Sequence, residues 1–215
     1  MIVKPKLIFT LIILFFFIMP VVSAAGLRLN VLTSFLPVYI FTKNVTAGID
    51  GVNVDCLLSG DAGPHDYQMR PGDMRKVEAA DIIIMNGLEV EGFLEDALEN
   101  LKLKSPPLES AAYLPLIEMK DEEDDHHHDG NYNPHTWVSP KMAAMQVRAI
   151  AAYLGEVDPE RAAIYRNNGD LYAKRLEKLH LEMVEMVDQL ENRKIVTFHD
   201  AFDYLARDIG LEIAA

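Results

Sequence analysis

The sequence predicts an α/β fold built on a parallel sheet. Short runs of β-branched and apolar residues alternate with helical segments. The connections between successive runs are long enough for crossovers, and a single helical stretch of unusual length follows them. Parallel neighbours need such connections, and their strands read as near-continuous apolar runs because both faces are covered.

The elements follow in order from the amino terminus. Residues 1–24 begin with Lys4 and Lys6, continue through an apolar stretch and end in small residues at Val22-Ser23-Ala24. This is the pattern of a cleaved Sec-type signal peptide, so the mature chain is expected to start near Ala25 and to lie free in the periplasm. No cysteine follows closely enough to carry a lipid. Residues 27–33 read as a buried strand, and residues 37–47 as a helix with Pro37 in its first turn. A second strand over 52–58, a helix over 71–80, a β-branched strand over 81–86 and a helix over 93–103 complete the first run of alternation. Residues 119–131 interrupt it with an acidic tract containing His126, His127 and His128, which has no apolar face and is expected to be a solvated loop. Mixed histidine and carboxylate in such a tract can hold metal weakly.

A helix over 141–154 precedes Asp158-Pro159-Glu160, which supplies a cap, a first-turn proline and an acidic first turn. One continuous helix is then expected from Pro159 to Leu190, about 48 Å long at 1.5 Å per residue. His180 on this helix is assigned to packing. A strand over 193–198, a helix over 201–209 and the start of another strand at Leu211 close the sequence. The roughly 25 residues after the long helix are too few for an independent core. They read as the beginning of a second lobe whose greater part is missing.

Composition restricts the partners. The net charge of −13 becomes −15 once the two leader lysines are removed, so nucleic acid and anionic lipid are repelled while divalent cations are attracted. Cys56 is the only cysteine and excludes an internal disulfide. Its place in an apolar segment suggests a buried thiol.

Three histidines stand at separated points, each in loop chemistry: His65 in Gly-Pro-His-Asp-Tyr, His135 in Asn-Pro-His-Thr-Trp and His199 in Phe-His-Asp. Three neutral imidazoles with one open position describe a zinc geometry. Spacing alone does not bring them together. Asp66 and Asp200, each following one of these histidines, could orient a ring or cap the next helix. Tyr67 and Trp137 read as walls of the site. Glu89 and Glu91 could face the same cleft, or be exposed acids at the start of the next helix.

In order, HDYQMRPGDMRKVEAADIIIMNGLEVEGF, the acidic histidine loop, NPHTWVSP, the long helix and TFHDAFDYLARDIGL resemble the periplasmic zinc-binding proteins of high-affinity zinc ABC transporters. These belong to the metal-binding cluster (A-I, or cluster 9) of solute-binding proteins. The likeness covers nearly all of the mature chain. It implies two α/β lobes bridged by a rigid helix. The amino-terminal lobe would be residues 25–157, the linking helix 158–191, and residues 192–215 the start of the carboxyl-terminal lobe.

It further implies that His65, His135 and His199 hold transported Zn²⁺, with a further acidic ligand beyond Ala215. The protein would be a monomer when intact, would pass the ion to a membrane permease, and would not be an enzyme. Manganese-type relatives place a carboxylate at the third position, so histidine there favours zinc, in line with the preference of softer nitrogen donors. A manganese- or iron-binding transport component is the alternative. A zinc-dependent hydrolase, lacking any companion base, and a surface adhesin, lacking an attachment signal, are weaker ones.

Overall fold

A computed structural model describes residues 28–58, 60, 63–65, 67–94, 97, 98, 101, 103, 105–119 and 131–214. The leader, Asp66 and the tract with His126, His127 and His128 lie outside the described residues. Among the described residues no helix is long and apolar enough to cross a membrane.

Four parallel strands form the main sheet: β1 (Leu29–Thr33), β2 (Val52–Cys56), β3 (Ile82–Met85) and β4 (Leu108–Glu109), in the order β2-β1-β3-β4. The register pairs Leu29 with Val52, Val31 with Ile82 and Ile84 with Leu108. All four residues of β3 are buried, as expected for a strand covered on both faces. The two-residue β4 was not expected from sequence.

Helix α1 (Leu36–Val45) connects β1 to β2, and α2 (Pro71–Ala79) carries the chain back over β1 to β3. The two connections run in opposite directions across the sheet, and crossovers of the usual right hand then place their helices on opposite faces. Beyond the carboxyl ends of the strands, where the direction of connection changes, is the usual ligand position in such sheets.

Helix α3 (Pro140–Val157) starts at Ser139, whose Oγ accepts a bond from the Met142 amide at 3.3 Å. The long helix α4 (Ala162–Asp188) spans 27 residues, about 40 Å. It is shorter than expected because Pro159–Arg161 form a 3-10 turn, where Asp158 accepts bonds from Arg161 (2.8 Å) and Tyr165 (2.7 Å). Gly169 allows α3 and α4 to touch: a Cβ there would lie 2.6 Å from the Ala151 Cβ. Strands β5 (Lys194–Ile195) and β6 (Glu212–Ile213) pair in parallel across helix α5 (Asp203–Ile209). The expected strand over 193–198 is thus cut to two residues. The partner offers only two for pairing, and Val196 and Phe198 stand exposed.

Candidate metal centre

Each of the three histidines arrives on a different element. Beyond β2 the ladder continues through amide bonds from Leu57 and Leu58 to the carbonyls of Thr33 and Ser34, which delivers the following turn, with His65, to the carboxyl edge of the sheet. His135 precedes the 3-10 turn Thr136–Val138 that leads into α3. His199 precedes the 3-10 turn Asp200–Phe202 that leads into α5.

A buried polar network holds the His135 loop. Asn86, at the end of β3, donates from Nδ2 to the Pro134 carbonyl (3.1 Å), and its Oδ1 accepts from Thr136 Oγ1 (3.2 Å) and Gln146 Nε2 (2.9 Å). Asn133 forms an Asx turn in which its Oδ1 accepts from the His135 amide and meets His135 Nδ1, both at 2.9 Å. The Asn133 amide nitrogen donates to the Asp200 carbonyl (2.8 Å) and to Asp203 (3.0 Å). That fixes the orientation of the amide and links the His135 loop to the segment bearing His199.

Further bonds seat α5 on the same loop. Tyr204 donates to the Asn133 carbonyl at 2.7 Å, and Ser139 donates to Asp208 at 2.6 Å. Burial pushes the Asp208 carboxyl up, but bonds from Arg207 and Ser139, with the charges of Arg207 and Lys141, outweigh it and hold the group below its ordinary value. Asp203 goes the other way: burial raises it, and the Asn133 bond only partly offsets this.

The three imidazoles converge through Nε2. His65 and His135 approach to 3.2 Å, His199 and His135 to 3.0 Å, and one ligand atom from each ring lies within 4.8 Å of the others. Two nitrogens bound at zinc distance and tetrahedral angle would be about 3.3 Å apart.

A neighbour defines the tautomer of His135. Asn133 Oδ1 is an acceptor, so His135 carries its proton on Nδ1. Asp200 Oδ1 lies 3.1 Å from His199 Nδ1, on the side of the ring away from His135. The Nε2 lone pair of His135 therefore faces Nε2 of His199 across 3.0 Å. A shared proton can relieve one such pairing, whereas one cation satisfies all three rings. His135 is buried and the other two are exposed.

Trp137 packs edge-on to Phe35 (4.8 Å) and lies 5.3 Å from the His135 ring, and Tyr67 packs on Phe93 while donating to Asp73. Trp137 thus stands against the His135 ring. His180 is half-buried on α4, away from this cluster. Glu89 is exposed, but Glu91 is not the exposed acid that its position suggested. It is 2% exposed and accepts from Ser34 (2.6 Å) and from the amides of Asn86 (2.8 Å) and Gly87 (3.0 Å). Burial pushes it up to about 7 against those bonds. Asn86, Asn133 and Tyr204 were not singled out from sequence. The Asn-Pro pair two residues before His135 was the available signal, since Asn-Pro favours turn initiation.

Residues 31–215 match the family described as zinc-uptake complex component A, periplasmic. The zinc-binding lipoprotein AdcA of Streptococcus pneumoniae is 30% identical over 195 residues, covering 87% of this chain and 38% of AdcA. The iron-binding protein YfeA of Yersinia pestis is 30% identical over 192 residues, covering 88% of this chain and 60% of YfeA. The chain thus spans less than two thirds of each of these relatives, and little more than a third of AdcA. The crystal structure of Zn(II)-bound AdcA from Streptococcus pneumoniae superposes with a TM-score of 0.76 at 29% identity, over 86% of this chain and 38% of that one.

Proposed function

The chain belongs to the zinc-uptake complex component A family, whose members are metal-binding transport components and not enzymes, and from that membership we propose that it captures Zn²⁺ outside the cytoplasmic membrane and hands it to an ABC transporter permease. His65, His135 and His199 are the ligands in this reading. The observation that carries it is the meeting of three Nε2 atoms, with Asn133 Oδ1 at Nδ1 of His135 and Asp200 Oδ1 at Nδ1 of His199. Residues 1–24 act as the export signal, residues 25–157 as the metal-presenting lobe, 158–191 as the link and 192–215 as the start of a second lobe.

An all-imidazole donor set favours zinc over manganese, which prefers oxygen. Likeness to an iron-binding relative keeps iron as the second reading. Protons compete for the imidazole lone pairs, so acid weakens binding. Calorimetric titration tests the assignment, using a chain with His126, His127 and His128 replaced by alanine so that the tract contributes nothing. One Zn²⁺ site, lost in His135→Ala and filled in preference to Mn²⁺ and Fe²⁺, is expected. Unchanged binding in His135→Ala overturns the ligand set, and preference for Mn²⁺ or Fe²⁺ overturns the metal.

A further inference from the structure

We propose that Asn86 and Glu91 are positioning residues for the imidazole site, setting how tightly the ion is held without touching it. The inference rests on the ligand reading above. Its basis is a chain of buried contacts that begins at a turn no L residue favours. Gly87, Leu88 and Glu89 all have positive φ, at 83°, 59° and 63°. Only the first is a glycine, and its missing Cβ is also required because one would meet Glu109 at 2.8 Å. A turn of this kind persists only where its surroundings over-determine it.

The Glu91 carboxyl supplies that constraint. Its two oxygens take the amides of Asn86 and Gly87 from within the turn and the Ser34 hydroxyl from the end of β1. The backbone of Asn86 is thereby fixed, and its side chain grips both sides of one ligand: the Pro134 carbonyl before His135 and the Thr136 hydroxyl after it. Three donors aimed at two oxygens suit a carboxyl group and not an amide. Glutamine at this position would turn an NH₂ group toward one of the N–H donors and release that end of the turn.

The test is the affinity of the full chain for Co²⁺ and Zn²⁺, measured by competition with a chromophoric chelator, together with the visible spectrum of the Co²⁺ form, which reports ligand geometry. Glu91→Gln is expected to lower affinity about 10- to 100-fold, the range for residues that orient metal ligands, and to alter the Co²⁺ bands. Thr136→Val removes the grip after His135, together with the 3.3 Å contact from the same hydroxyl to Gln146 Oε1, and is expected to give a smaller loss in the same direction; it decides the matter if Glu91→Gln does not fold. Ser110→Ala cuts the same buried network on the far side of Gln146, where Ser110 accepts from Nε2 at 3.0 Å. It is expected to lower thermal stability while leaving affinity and spectrum unchanged. Unaltered affinity and spectrum in Glu91→Gln and Thr136→Val, or an equal loss in Ser110→Ala, overturns the proposal while the histidine site stands. No Co²⁺ or Zn²⁺ binding by the unaltered chain overturns both.

Discussion

Replacing Asn133 with alanine removes four hydrogen bonds at one stroke: two from His135 to Oδ1, and two from the amide nitrogen to the Asp200 carbonyl and Asp203. Each ordinary bond contributes about 1 kcal/mol, and a buried group left unpaired costs about 1–3 kcal/mol. His135 is only 2% exposed, so water cannot replace both of its bonds. Asp200 and Asp203 are partly exposed and recover some hydration. The expected loss of stability is about 2–4 kcal/mol, read from the urea midpoint. Zn²⁺ affinity is expected to fall about 10- to 100-fold, because the Nδ1 partner that keeps the lone pair on Nε2 is gone.

Asn133→Asp separates the two effects. It keeps the acceptor for His135 but sets an oxygen against Asp203, so it should lose stability at neutral pH yet hold Zn²⁺ more tightly than the alanine variant. Alanine binding within threefold of the parent, or aspartate losing as much affinity as alanine, would refute the tautomer argument.

Three further outcomes are expected. Glu91 sits at about 7 in the folded chain against an ordinary 4.5, mainly through burial, so its contribution to stability is fully present below about pH 4.5 and is lost as pH rises through 7. The difference corresponds to about 3 kcal/mol. Urea midpoints from pH 5 to 8 should fall less steeply in Glu91→Gln than in the parent, and parallel curves would contradict the assignment. Gly169→Ala adds about 1 kcal/mol of helix propensity but drives a methyl to 2.6 Å from Ala151; overpacking costs about 1–3 kcal/mol. A lower midpoint is expected, and a higher one means that the helices can part freely. Burial pushes the Cys56 thiol up, and its S–H donates to the Leu58 carbonyl at 3.0 Å, so an aromatic disulfide reagent at pH 8 should modify it more slowly than glutathione. An equal or faster rate would contradict this.

Several strands and helices around the sheet were legible: the β-branched Ile82–Met85 run and the proline-led starts of α1 and α2 read correctly, and α3 covers the helix expected over 141–154. β4 was not, because two residues in a proline-rich stretch form a strand only by pairing with Met85 and Ile84. The three histidines stood out by residue type and loop setting, but their convergence depends on a fold that joins the β2 loop, the α3 entrance and the α5 entrance. Asn133 and Glu91 were opaque for another reason. Each looks like a surface polar residue in a turn, and only the direction of its side chain, inward to His135 or to the amides of Asn86 and Gly87, makes it structural. Of the two readings of Asp200, the structure places its carboxylate against His199 Nδ1, while the cap position of the 3-10 turn falls to His199 with no side-chain cap bond.

The most direct test of the imidazole site is the anomalous difference map of a Zn²⁺-loaded crystal collected at the zinc edge. A single strong peak is expected, about 2.0–2.1 Å from Nε2 of His65, His135 and His199. A protein-bound zinc located elsewhere, with those three nitrogens turned away from one another, would contradict it.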